Sequence, residues 1–456
     1  MEEDLLPRVL VVSHQCFSST TAMGKTMASF FDCWHGHGVA QLFFRSETPD
    51  ADCCSEYFRI TDFDILHNAL TGHGRLPDGR LNGTGGSDAI DRTDQTRSPF
   101  VSWAYCIGEH RWPAMNLARD FVWQRKRWDT GHLQEWLDYV DPEVVMLVPG
   151  EYRFAYEIAC RIARKRRIPL IIYYTDDYYG KQPSLSPLYW LMHSLLMCTA
   201  RRTIMYSSCL LTVSDRMAEE YERGFSRPCY VLRHSVDARE PLCVPPPGPQ
   251  EVVRLSYIGN LHSNRWRSIA VLARALSQYV TAGGHRAELS IFSRQKPSLP
   301  VLNAISIDGI SRYAGSLDAD GVCAEQQRAD VLVHVESFDR RSRHYTRLSV
   351  STKIPEYMTS GKCILAFGPS EVASIDYVRR HGMGIVATAK RQLPDALKRA
   401  IEDAGLRTQM GMRARAVAER NHDRRANAQF LANMMRAVVA DPTPHDYSHV
   451  RPRGDL

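Results

Sequence analysis

The 456-residue chain contains 12 cysteines but no pair spaced as C-x-x-C, which argues against a zinc ribbon and against a thioredoxin-like redox site. Most of these cysteines lie in apolar runs and read as reduced core residues of a cytoplasmic protein. No apolar run reaches the length of a membrane span. The nearest, Leu185–Met197, is short, holds His193 and is followed by Arg201-Arg202. It is expected as a buried helix, with an interfacial helix touching the inner face of a membrane as the other option. The opening residues, MEEDLLPRVLVVS, are acidic and run straight into a strand, unlike a signal peptide. Gly24-Lys25-Thr26 lacks the earlier glycine of a Walker loop, and the same loop is not G-x-G-x-x-G. The histidines show no metal-ligand spacing, so no metal is expected. No repeat of solenoid length is visible. A net charge of +6 is mild: it suits an anionic ligand or membrane surface without requiring either, and no nucleic-acid partner is expected.

What the chain does have is alternation. Apolar runs of strand length at 8–13, 39–44, 143–148, 169–174, 209–213 and 230–232 are separated by amphipathic stretches, and the pattern restarts at 252–258, 287–292, 330–335, 363–367 and 385–387. Runs apolar on both faces suit buried parallel strands, so the fold class is α/β. Between the two series lies PLCVPPPGPQ, residues 241–250, whose stacked prolines make a semi-rigid spacer. The expected organisation is therefore an N-terminal domain over 1–240, a Pro-rich hinge over 241–250, a second domain over 251–440 and a disordered tail over 441–456. Residues 71–98, rich in Gly, Asp, Asn and Arg, are expected as a mobile insertion in the first domain.

The most informative stretch is 349–369, SVSTKIPEYMTSGKCILAFGP. Ser351 and Thr352 are N-cap residues, a proline is tolerated in a first helical turn, and Glu356 falls where the helix dipole favours a carboxylate. Gly361 can supply a left-handed C-cap before the strand 363–367. Such a unit puts hydroxyls, a helix N-terminus and one carboxylate at the end of a sheet, where doubly wound folds hold nucleotides and phosphates. Asp176 and Asp177, after the strand 169–174, stand at the equivalent end in the first series.

Taken in order, Gly24 after strand one, Ser214 in LLTVSDRMAEEYERGF, YIGNLHSNR ending at Arg265, and STKIPEYMTSGKCILAFGP resemble the group-1 retaining glycosyltransferases of the GT-B fold, of the bacterial polysaccharide type. The resemblance covers most of the chain and is strongest from about 205 to 400. It implies two Rossmann-like domains facing each other across a cleft, with C-terminal helices. It implies a hexosyl-type transfer from a nucleotide-sugar donor, held by the second domain, to a saccharide, lipid-linked or protein acceptor, held by the first, with retention and without a metal cofactor. Glu356 would then accept hydrogen bonds from the ribose hydroxyls, Ser351 and Thr352 would lie near the diphosphate, and Lys353, Gly259 and Asn260 would complete the donor-binding set. Arg265 would neutralise the diphosphate leaving group, Gly24 would let the first loop approach the phosphates, and Asp176 or Asp177 would sit by the acceptor or transferred sugar.

Two departures qualify the carry-over. The family's carboxylate eight residues before Glu356 is Leu348 here, and Glu336 or Asp339 would have to replace it. Asn260 stands where a second basic residue is common, and the basic segment 340–347, RRSRHYTR, read as a loop, would make good that charge. Two alternatives stay open: a nucleotide-sugar epimerase of the same fold, since fold does not fix function, and a catalytically weak nucleotide-sugar-binding partner subunit, which the missing carboxylate keeps in play.

Overall fold

In the computed structural model, which describes residues 6–65, 79–82, 113–124, 128–180, 184–237, 252–447 and 450, the two series of apolar runs become two separate sheets. The chain divides into a first unit, Met1–Leu232 with Arg425–Leu456, and a second, Arg233–Arg424.

The first unit holds β1 (Val9–Ser13), β2 (Val39–Phe43), β3 (Glu56–Arg59), β4 (Arg80–Asn82), β5 (Val144–Val148), β6 (Leu170–Tyr174), β7 (Cys209–Thr212) and β8 (Cys229–Val231). Their order across the sheet is β4-β3-β2-β1-β5-β6-β7-β8, parallel except for the antiparallel pair β3–β4. In β1, β2, β5 and β6 every residue is buried. This is why their sequences carry no polar alternation: helices cover both faces. From β1 the chain steps towards β2, and from β5 it steps the other way, so the sheet reverses its winding between these two neighbours.

The second unit is an all-parallel sheet of β9 (Val253–Ile258), β10 (Ala287–Phe292), β11 (Ser311–Gly315), β12 (Val331–Val335), β13 (Cys363–Phe367) and β14 (Gly384–Ala387), in the order β11-β10-β9-β12-β13-β14. Its winding reverses between β9 and β12. Crevices at such reversals, beyond the carboxyl ends of the strands, are where open α/β sheets take their ligands.

Three strands, β3, β4 and β11, were not expected from the sequence. β4 is three residues long and lies within the stretch read as an insertion; β3 and β11 are half-buried, and polar residues dilute their apolar content below the signal of a core strand.

The C-terminal region departs from the expected layout. The C-terminal helices break at His422-Asp423, between Ala404–Asn421 and Arg424–Ala440, and the second of these packs in the first unit. Its Phe430, Leu431, Met434, Met435 and Val438 share a core with Val11, Phe30, Tyr173 and Cys209. The expected second domain therefore ends near Arg424, not at 440. The tail is folded as far as it is described: Tyr447 is fully buried, and its hydroxyl donates to the carbonyls of Asp441 (2.6 Å) and Thr443 (2.9 Å). The hinge 241–250 and most of the insertion 71–98 lie outside the described residues, though Arg80–Asn82 form β4.

Within the second unit, the two passages of the chain towards the first lie side by side. Val236 and Asp423 form a parallel bridge, and the Val236 N–H donates to the His422 carbonyl at 2.9 Å. The His422 ring is buried between the His234 carbonyl, 2.7 Å from Nδ1, and the Tyr377 hydroxyl, 3.0 Å from Nε2.

Candidate functional site

The reversal point of the second sheet is built by the loops that follow β9 and β12. After Ile258 the chain makes the turn 259–264, in which Ser263 (φ 53°) and Asn264 (φ 59°) are consecutive left-handed residues. Non-glycine residues adopt this region at a cost, and such costs are retained where a site needs them. The turn delivers Arg265 as the first residue of the helix Arg265–Thr281. The loop is braced from below by the buried Tyr257, whose hydroxyl donates to the Asn260 carbonyl. A Cβ at Gly259 would lie 2.9 Å from that hydroxyl.

Glu336, the residue after β12, meets Arg265 here. The guanidinium donates from Nη2 to both carboxylate oxygens (3.0 and 3.1 Å) and from Nε to Oε2 (3.3 Å), and Nη1 donates to the Asn260 side-chain carbonyl at 3.0 Å. Glu336 is 2% exposed. Burial works to raise its pKa, but Arg265 and then His334, whose Nε2 lies 3.3 Å away, outweigh this and hold the carboxyl below the usual range. The Glu336 carbonyl accepts from the Ser268 hydroxyl at 2.8 Å, and a Cβ on Gly368 would lie 2.8 Å from the Glu336 Cβ. The carboxylate is thus fixed from several sides. Three of the predicted residues, Arg265, Glu336 and Asn260, form one hydrogen-bonded cluster beside Gly259.

The helix after Thr352 spans Lys353–Thr359. Thr352 makes no side-chain capping bond; Ser351 serves instead, its hydroxyl accepting from the Lys353 N–H at 3.4 Å. The Ser351 N–H is itself held by the Ser374 hydroxyl at 2.9 Å. Glu356 pairs with Lys353, Nζ to Oε2 at 2.6 Å, and both side chains are 34% exposed. Tyr357 ties this helix to β9: its hydroxyl accepts from the Ile258 N–H and donates to the Ile258 carbonyl, each at 3.0 Å. Ser351, Thr352, Lys353 and Glu356 are therefore anchored to the residue immediately before Gly259. Gly361, at φ 67°, ends the helix in the expected left-handed turn.

The basic segment 340–347 is corrected: Arg340–Thr346 is a helix rather than a loop. Asp339 caps it, Oδ2 accepting from the Ser342 N–H and hydroxyl at 3.0 Å each, and those bonds lower its pKa. Arg343 pairs with Glu371 at 3.1 Å. Leu348 is fully buried.

The other predicted residues belong to the first unit. Gly24 lies in the first turn of the helix Ala22–Ser29, capped by Thr21. A Cβ there would meet the Ser18 backbone nitrogen at 2.7 Å and the Thr21 hydroxyl at 2.6 Å, so glycine is demanded by the loop's own packing. Asp176 follows β6, its carboxylate accepting from the Tyr178 hydroxyl at 3.3 Å, while Asp177 is held by the Tyr221 hydroxyl at 3.0 Å and the Gly180 N–H at 2.9 Å. At the reversal point between β1 and β5, the rings of His14 and Tyr152 pack in a tilted contact with centroids 4.5 Å apart. Reading the sequence missed Tyr257, His334 and Tyr357, because each sits inside or beside an apolar run and reads there as core filling.

No protein-family model matches the chain, and no curated protein matches it in sequence. In structure it is similar to sucrose-phosphate synthase from Thermosynechococcus elongatus, at 11% identity and a TM-score of 0.60, over 95% of this chain and 99% of that one. It is similar to HepE of Anabaena, solved in complex with UDP and glucose, at 12% identity and a TM-score of 0.56, over 94% and 100% of the two chains. It is similar also to the α,α-trehalose 6-phosphate synthase of Burkholderia multivorans, at 11% identity and a TM-score of 0.57, over 96% and 100%. At these identities the likeness is one of fold: two parallel-sheet α/β units with C-terminal helices, the GT-B architecture.

Proposed function

We propose that the protein is a glycosyltransferase that takes a hexosyl group from a nucleotide-sugar donor, bound by the second unit, and passes it with retention to a saccharide, lipid-linked or protein acceptor met by the first. The observation that carries this reading is the Arg265–Glu336–Asn260 cluster at the β9/β12 reversal point, with the Glu356 helix anchored beside it. HepE, a structural neighbour, has been solved with UDP and with UDP-glucose.

The chemistry follows from the residues. Glycosyl transfer develops positive charge on the sugar ring and negative charge on the departing diphosphate. Arg265 cannot lose its charge, its Nη1 retains an N–H beyond the one given to Asn260, and Glu336 holds the guanidinium in one orientation. A donor preset where negative charge grows lowers the barrier by ~3–4 kcal/mol. Glu356, half-buried, pairs with Lys353 through Oε2 and offers its other carboxylate oxygen to ribose hydroxyls, while Ser351 and Thr352 are assigned to the diphosphate and Lys353 to the donor. Gly24 and Asp176 are assigned to the acceptor-bearing unit. Because cationic side chains carry the leaving-group charge, transfer should persist in excess chelator; loss of activity on adding EDTA, restored by a divalent ion, would contradict this.

One observation favours a second reading, a nucleotide-sugar-binding subunit of weak activity: Leu348 is core, Asp339 is a cap, and Glu336 is committed to Arg265, which leaves the sugar end without the usual carboxylate. A panel of nucleotide sugars separates the two. Both readings require a donor to raise the melting temperature, but only the transferase releases nucleotide when an acceptor mixture is added.

A further inference from the structure

Outside this site, the helix Pro187–Tyr206 of the first unit departs from its expected role as a buried helix. One stripe along it is solvent-exposed. At the N-terminal end the stripe is apolar: Leu185 projects fully (103% exposed), and Leu188, Trp190 and Leu191 follow at 45%, 39% and 51%. The Trp190 indole N–H is already satisfied by the Ser184 carbonyl at 2.9 Å, so the ring carries no unmet donor into an apolar medium. Further along, the same stripe presents Arg201 and Arg202, both exposed, and the twenty residues of the helix include no Asp or Glu.

The basic end borders a groove of about 1000 Å³ shared with the helix Arg153–Arg166, which adds the exposed Arg164 and Lys165. Among the described residues the one carboxylate lining the groove, Glu157, is already held by Arg153 at 3.0 Å and by the Gln124 amide at 2.6 Å, so it does not offset the cations. Single exposed apolar side chains are ordinary on a surface. Four within seven residues, one a tryptophan, at one end of an exposed stripe whose other end, along a helix about 30 Å long, carries cations, suit a lipid surface that takes up the apolar end while the long arginine side chains reach its phosphates. No helix among the described residues is long and apolar enough to cross a membrane.

We propose that this face docks the protein on an anionic lipid surface, with Leu185, Leu188, Trp190 and Leu191 entering the headgroup–acyl boundary and Arg164, Lys165, Arg201 and Arg202 pairing with lipid phosphates. The two contributions are separable. Cations near an anionic membrane each add roughly fivefold to binding and are screened by salt, whereas the apolar part depends little on salt.

The test is co-sedimentation of the full chain with sucrose-loaded vesicles of pure phosphatidylcholine or of phosphatidylcholine with phosphatidylglycerol, at low and high salt. We expect partition into the anionic vesicles at least tenfold above the neutral ones, decreasing with salt. Arg201→Glu with Arg202→Glu should lower it at least tenfold, and Trp190→Ser with Leu191→Ser should lower it while leaving its salt slope. Arg201 and Arg202 are exposed, so an unchanged melting temperature is expected for their reversal; Trp190→Ser gives up the bond to the Ser184 carbonyl, so that variant is assayed well below its own melting temperature. Equal partition into both vesicle types, no partition into either, indifference to the arginine reversals, or capture by a soluble polyanion without vesicle binding would each overturn the proposal.

Discussion

Arg265 and Glu336 stand 71 residues apart in the chain and are worth more as a pair than as two sites. Removing one member of a buried ion pair leaves an uncompensated charge and costs about 3–5 kcal/mol, whereas replacing both with apolar residues is often close to neutral. We therefore expect Arg265→Met and Glu336→Leu each to lower the denaturant midpoint strongly, and the double variant to recover most of the loss; additive losses in the double variant would show that the pair is not coupled. His422 gives a pH dependence of definite sign. Burial first of all, helped by Arg233 and neighbouring histidines and opposed by its bond to the His234 carbonyl, lowers its pKa to about 3. An unfolded histidine titrates near ~6.5, so as pH falls from there towards 3 the unfolded chain binds a proton that the native chain refuses, and stability falls. The expected loss is roughly 2 kcal/mol at pH 5 relative to neutral pH, measurable by urea denaturation, and His422→Gln should flatten the slope. At this scale the sequence was informative about identity and silent about partners: the motif singled out Arg265, but nothing in residue spacing shows that Glu336 fixes it or that His334 stands behind the carboxylate.

Elements succeed or fail through their anchors. The helix Lys353–Thr359 is two turns long and owes its position to Tyr357, whose hydroxyl makes both bonds to Ile258. Tyr357→Phe leaves a buried N–H and carbonyl unsatisfied, at about 1–3 kcal/mol, and we expect it to raise the donor KM through Glu356 with little change in kcat. Gly411 in the helix Ala404–Asn421 makes a contrasting case. Alanine normally stabilises a helix interior by about 1 kcal/mol over glycine. Here its Cβ would fall 1.9 Å from the Gly361 carbonyl oxygen, a backbone atom that cannot step aside cheaply. Gly411→Ala should therefore destabilise, by about 1–3 kcal/mol, and a raised denaturant midpoint would contradict this packing. The parallel strands were legible because burial on both faces writes a continuous apolar run. The edge strand β11 was not, since SRYAG has one solvated face, and the run of Arg and His in 340–346 hid a helix whose cap, Asp339, lies just outside it.

For the whole molecule, an amphipathic pattern states that a helix buries one face but not against which sheet. Residues 424–440 were read as part of the second domain, whereas their apolar face completes the first unit's core. Ending the chain at Arg424 would strip Phe430, Leu431, Met434, Met435 and Val438 from that core, roughly 10 kcal/mol of burial and comparable to the entire stability of a domain. Limited proteolysis of the truncated chain should show the first unit degraded; survival of both units would contradict the assignment. The central claim, donor binding at the β9/β12 reversal point, is tested most directly by nucleotide release from a panel of nucleotide sugars with an acceptor mixture. Wild type should be compared with Glu356→Ala and with the folded Arg265→Met/Glu336→Leu double variant. We expect one donor to be consumed by wild type, its KM to rise sharply in Glu356→Ala, and kcat to fall at least a hundredfold in the double variant, the loss expected for one preset charge donor. Full activity in both variants would contradict the claim.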